Sequence, residues 1–202
     1  SGIETSLLGF GCMRFPTTAE GKIDFAEAEK MLDKAYAAGV NYFDTAYPYH
    51  NGESELVVGE VMKKYDRSSF YLATKLPMWK VHSVADAEAT FNEQLKKLQT
   101  DYVDFYLLHA LNKEKWEEAK ENGVVEYCAK LKEEGKIKNY GFSFHADADL
   151  LETILSEHPE MEFVQLQINY IDWENESIQS RKCYEVAQKY NKPVIVMEPV
   201  KG

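Results

Sequence analysis

The sequence predicts an α/β fold: a (β/α)8 TIM-type barrel of which about seven βα units are present. Three observations lead there. Seven short β-rich apolar runs recur along the chain, separated by helical patterns, at roughly 25–35 residues per unit, the size of a βαβ step. Several runs are apolar almost throughout, as in FYLAT, VDFYLL and PVIVM. That is the pattern of parallel strands covered on both faces. The first candidate phosphate turn, Gly9-Phe10-Gly11, continues into Cys12-Met13-Arg14 and not into GxGxxG, which argues against a doubly wound sheet.

Taken in order, the strands are expected at 7–10, 40–45, 70–76, 102–109, 137–144, 163–170 and 194–199. The first helix should run from about Phe25 to Ala38. Asp24 is a good N-cap with Glu27 at capping-box spacing, and Gly39 suits the position after the C-cap. Ala28, Met31, Leu32, Ala35 and Tyr36 fall on one face of it. A second helix follows Ser83, with Phe91, Leu95 and Leu98 as its stripe. A third spans 124–134 and stops at Gly135. Ser177 opens a fourth, which ends before Asn191 and Pro193. No linker, charge block or low-complexity tract interrupts this order. We therefore expect one barrel domain over residues 1–202, incomplete at its C-terminus, because a closed barrel needs an eighth unit and about 250 residues.

Composition narrows the function. The 202 residues carry 23 Lys+Arg against 34 Asp+Glu, a net charge of −11. This argues against a nucleic-acid partner, whose phosphates need clustered cations. No apolar run approaches the roughly 20 residues of a membrane-spanning helix, so no membrane partner is expected. Cys12, Cys128 and Cys183 are odd in number and widely spaced, which is neither a disulfide framework nor a metal knuckle. With an N-terminus, SGIETSLLGFG, that lacks a signal pattern, this suggests a reducing, cytoplasmic setting.

In such barrels chemistry collects at the C-terminal ends of the strands. Asp44 and Tyr49 follow strand two, Lys75 ends strand three and His109 ends strand four. Ser143-Phe144-His145 ends strand five, Gln165, Gln167 and Asn169 lie on strand six, and Glu198 ends strand seven. Each has a bland reading alone: a loop cap, a half-buried aromatic, a core histidine. Lysine, however, is almost never buried without a partner, and together the four from Asp44 to His109 occupy one face of consecutive strands. Three chemistries use such a set. Lys75 could form a Schiff base with a carbonyl. His109, His145 and Glu198 could hold a metal, although Lys75 would repel a dication and no HxH or HExxH spacing exists. Or Tyr49 could deliver a proton, its pKa lowered by Lys75, which Asp44 holds, while His109 binds a carbonyl oxygen. That third unit lacks an electron pair for the carbon, and a nicotinamide hydride is the natural complement.

These residues bring a resemblance. The blocks LGFGCMRFP, GVNYFDTAYPYHNGESELVVGE, FYLATKLP, QLKKLQTDYVDFYLLH, FVQLQINY and PVIVMEPVKG, in that order, resemble the aldo-keto reductases, NAD(P)H-dependent (β/α)8 oxidoreductases that reduce small carbonyl substrates. The resemblance implies Tyr49, Lys75, Asp44 and His109 as the catalytic tetrad. It implies NADPH or NADH as cofactor, with Ser143 and Gln165 at the carboxamide and Met197 and Glu198 alongside the nicotinamide. In the common family pattern Asn follows that Ser and an aromatic stands on strand seven; here those positions are Phe144 and Met197. His145 and Trp79 are candidate substrate contacts, with Trp116 and His50 as further ones. GFSFH, VQLQINYIDW and MEPVKG resemble a prokaryotic branch with a C-terminal ferredoxin-like segment, implying [4Fe–4S] clusters outside these residues. A non-catalytic, nicotinamide-binding barrel that senses redox state or acts as a scaffold, and a Schiff-base aldolase, stand as alternatives.

Overall fold

The apolar runs form one parallel sheet in chain order, β1-β2-β3-β4-β5-β6-β7, in the computed structural model, which describes residues 2–201. The strands are β1 (Phe10–Gly11), β2 (Tyr42–Asp44), β3 (Tyr71–Leu76), β4 (Val103–Leu111), β5 (Ile137–Phe144), β6 (Val164–Gln167) and β7 (Val194–Met197). Every neighbouring pair is parallel. The sheet curls into an open barrel of the (β/α)8 type, with helices outside.

The helices are α1 (Phe25–Ala37), α2 (Ser54–Met62), α3 (Val84–Leu98), α4 (Lys113–Glu121), α5 (Val124–Glu133), α6 (Ala148–Glu157) and α7 (Ser180–Lys189). The caps read from sequence are in place. The Asp24 side chain accepts from Glu27 N, and the Ser83 side chain accepts from Asp86 N. Gly39 and Gly135 both take the left-handed φ that ends a helix at little cost. Of the predicted α1 stripe, Ala28 and Leu32 are buried, while Met31 stays exposed.

Three expectations shift. β1 begins at Phe10, and Leu7 and Leu8 are fully or largely exposed, outside the ladder. β6 ends at Gln167 because Asn169 turns the chain, its side chain accepting from Ile171 N and Asp172 N. α7 starts at Ser180 and not Ser177: Asn175 accepts from the Ser177 and Ile178 amides, and Gln179 is left-handed. That Asx turn competes with helix.

A continuous apolar core lies between sheet and helices, including Phe43, Phe91, Tyr106, Trp116 and Phe142. Burying each such side chain contributes roughly 1.5–3 kcal/mol. Cys12, Cys128 and Cys183 are free and buried.

Candidate active site

The parallel order puts the C-terminal ends of β1–β7 on one rim. Asp44, Tyr49, Lys75, His109, Ser143, His145, Gln165, Met197 and Glu198 all line one cleft there, of about 1040 Å³. Its centre is Lys75, a buried lysine with 1% relative exposure. Its Nζ donates to Asp44 Oδ1 (2.5 Å), Thr45 O (2.8 Å) and the Tyr49 hydroxyl oxygen (3.2 Å). Burial opposes the ammonium, but Asp44 and Tyr49 outweigh it and hold the Lys75 pKa above its ordinary value. A lysine so placed is charged at neutral pH.

Tyr49 follows β2 on a tight turn in which His50 and Asn51 are both left-handed. Burial raises its pKa, Lys75 pulls it down, and Asp44 pushes it up again; the net shift is upward. The expectation of a lowered phenol is corrected here: the Lys75 contribution has the expected sign, but burial is larger. The phenol keeps its proton, and because its oxygen accepts from Lys75 that proton is free to be given elsewhere.

His109 is aimed by a bulge. Leu108 pairs with Phe142 and Leu111 with Phe144, so His109 and Ala110 together face Ser143. An extra residue re-aims a side chain in this way. Ala110 is left-handed, and its N–H donates to Ser143 Oγ (2.7 Å). The His109 ring stands edge-on to Tyr49, with centroids 6.0 Å apart. Burial, then the Lys75 and Lys115 charges, lower its pKa to about 3. It is a neutral imidazole.

Gln165 reaches across from β6: its Nε2 donates to Asp44 Oδ2 (3.1 Å), completing the shell around that carboxylate. Its amide oxygen is left for another partner. Trp79, 47% exposed on the turn after β3, lies against His109 with centroids 5.3 Å apart.

Other sequence candidates lie elsewhere. Trp116 is fully buried on α4 and is a core residue, not a pocket wall. His50 turns away: its Nε2 accepts from Phe15 N (2.9 Å), which ties the Tyr49 turn to the loop after β1. His158 is paired with Glu160 and set edge-on to Trp116. Among the described residues no three His, Cys, Asp or Glu side chains are placed to hold a metal ion together. The iron–sulfur expectation concerns a segment outside these residues, and the buried thiols present here offer it no ligands.

Sequence reasoning missed the layer beneath. Glu55, fully buried, accepts from Thr74 Oγ1 (2.6 Å) and Gln94 Nε2 (2.8 Å), and Gln94 Nε2 also donates to Lys75 O (3.0 Å). Thr45 and Ser54 hydroxyls bond each other, and Ser54 donates to Cys12 O. The clue was present in GESE, a glutamate inside an apolar helix. The other missed residue is Lys115, whose Nζ donates to Ala110 O (3.1 Å).

Comparison with known proteins bears on this constellation. The pattern described as "Aldo/keto reductase family" matches residues 7–202. The chain is 29% identical over 180 residues to a Glycine max protein named as a probable aldo-keto reductase, covering 85% of this chain and 50% of that one. It is 34% identical over 152 residues to an uncharacterised oxidoreductase of Bacillus subtilis, covering 71% and 46%. The holo form of an aldo-keto reductase from Bacillus halodurans superposes with a TM-score of 0.79 at 27% identity, covering 100% of this chain and 64% of that one. The chain thus spans about half the length of these two curated relatives.

Proposed function

The chain belongs to the aldo/keto reductase family, and from that membership we propose that it reduces a small aldehyde or ketone to the alcohol at this cleft, with Tyr49 as the acid. The observation that carries the reading is the Lys75 ammonium touching Asp44 and the Tyr49 oxygen at once. Lys75 stabilises negative charge on the phenol oxygen as the proton leaves, and Asp44 keeps the ammonium charged and in place. His109, neutral and at the same rim, hydrogen-bonds the carbonyl oxygen without competing as an acid.

The residues present fit a nicotinamide. A carboxamide offers donors and an acceptor; Gln165 keeps a free amide oxygen and Ser143 a hydroxyl proton, because its oxygen accepts from Ala110. Met197 and Glu198 border the same cleft from β7. NADPH or NADH, when bound, supplies the hydride. The aldolase reading is disfavoured by Lys75 itself, since imine formation needs a neutral amine and this one is held charged. A cytoplasmic setting belongs to the proposal, supported by three free thiols.

Tyr49→Phe tests it. The ring stays and the proton donor goes, so carbonyl reduction should fall by ~10²–10⁴-fold. Nicotinamide affinity, read by cofactor fluorescence, should be nearly kept. Retention of more than about a tenth of wild-type turnover, well above that range, would remove Tyr49 from its role.

A further inference from the structure

Beside His109, just outside the residues that line the cleft, stands a cation that the reduction chemistry does not use. Lys115, on the first turn of α4, is half-buried, with Nζ 3.1 Å from Ala110 O and 5.6 Å from the centre of the Trp79 ring. Trp79 in turn lies on His109. Among the described residues no carboxylate comes within 4.0 Å of this ammonium, whereas most lysines of the chain are ion-paired. Its charge is felt at the rim: it pushes the His109 pKa down after burial and Lys75, and pushes the His145 pKa down more weakly than burial does.

Two other charges share the rim. Lys75 is neutralised by Asp44. Glu198 stands beyond on the β7 side, where its upward push on the His145 pKa exceeds the downward push of Lys115, while burial keeps the net shift downward. An ammonium has three donors, and Ala110 O takes one.

We propose that Lys115 binds a carboxylate on the substrate, so that the preferred substrates are aldehydes or ketones carrying a carboxylate, with an apolar stretch against Trp79 between the two groups. This rests on the reductase reading of the cleft. The spacing follows from Trp79, whose ring centre lies 5.3 Å from that of His109 and 5.6 Å from Lys115 Nζ, which keeps carbonyl and carboxylate within a short aromatic or aliphatic spacer of each other. A monoanion fits better than a dianion: one ammonium is offered, while Glu198 and a net charge of −11 oppose more negative charge.

Two measurements on the intact protein test this. The first compares 4-carboxybenzaldehyde with its neutral methyl ester. Wild type should favour the acid in kcat/KM, mostly through KM. Lys115→Met should lower the acid-to-ester ratio by about tenfold, the scale of a hydrogen bond to a charged group, and Lys115→Arg should restore most of it. An acid-to-ester ratio that Lys115→Met leaves unchanged overturns the proposal. The second needs no turnover: benzoate is titrated against the Trp79 fluorescence, with Trp79→Phe identifying the signal. Saturable binding lost in Lys115→Met supports the anion site; no binding in wild type overturns it. If benzoate binds but neither aldehyde is reduced, the reductase reading fails and the anion site stands.

Discussion

At the residue scale, the site depends on which ionisable groups keep their ordinary charge. Lys75 is charged although buried, and His109 is neutral although at the rim of a cleft. The His109 pKa of about 3 against 6.5 carries a stability cost in acid. Its folded pKa is depressed, so between pH 6.5 and pH 3 the unfolded chain binds a proton that the folded chain refuses. Stability is therefore full above about pH 6.5 and is lost as pH falls, by about 1.4 kcal/mol per unit. Urea titrations at pH 7 and pH 5 should show wild type losing about 2 kcal/mol more than His109→Gln over that interval. His145, also lowered by burial, titrates in both proteins, and its charge adds to the causes that hold the His109 pKa down. Equal losses in the two proteins would mean that the imidazole is not buried in its neutral form.

At the element scale, α2 is held against the end of α3 by a missing side chain. A Cβ on Gly59 would lie 2.3 Å from Lys97 O and 2.7 Å from Leu98 C, both backbone atoms that cannot swing aside. Gly59→Ala should thus destabilise by about 1–3 kcal/mol, as overpacking does, although alanine in an open helix would add stability. A higher denaturant midpoint for Gly59→Ala would show that the helices are not in this contact. The same helix shows what the sequence made legible. α1 and α3 announced themselves by caps and an apolar stripe, and α5 by the glycine that stops it. α2 did not, because SELVVGEVM is buried on nearly every side and has no polar face to mark a period. α4 escaped for the opposite reason: KEKWEEAKE buries only Trp116 and Ala119. In the site, Asp44, Tyr49, Lys75 and His109 could be read as strand ends, since strand order fixes the rim. The bulge at His109–Ala110 and the Glu55–Gln94 layer could not, because both arise from pairings between segments far apart in sequence.

At the scale of the whole molecule, a barrel is a sheet whose first and last strands meet, and here β1 and β7 are each paired on one side among the described residues. The cleft consequently runs past the rim along Leu7, Leu8 and Gly9 on one border and Val194, Val196 and Pro199 on the other. Leu8 and Val196 are 69% and 46% exposed, and backbone groups along both edges lack ladder partners. Such an edge pairs with whatever strand it meets unless charge or cover prevents it. The net charge of −11 opposes association at long range. Salt screens that repulsion over about 8–10 Å at physiological strength, while the short-range edge remains. The polypeptide of residues 1–202 by itself should therefore associate in a concentration- and salt-dependent way, its apparent mass by light scattering rising above 23.2 kDa as salt is added. Single Lys substitutions at Leu8 and Val196 should reduce that association, since a charge on an open edge is what keeps natural edges apart. A monodisperse 23.2 kDa species at high salt and high concentration would show that these two borders are not adhesive.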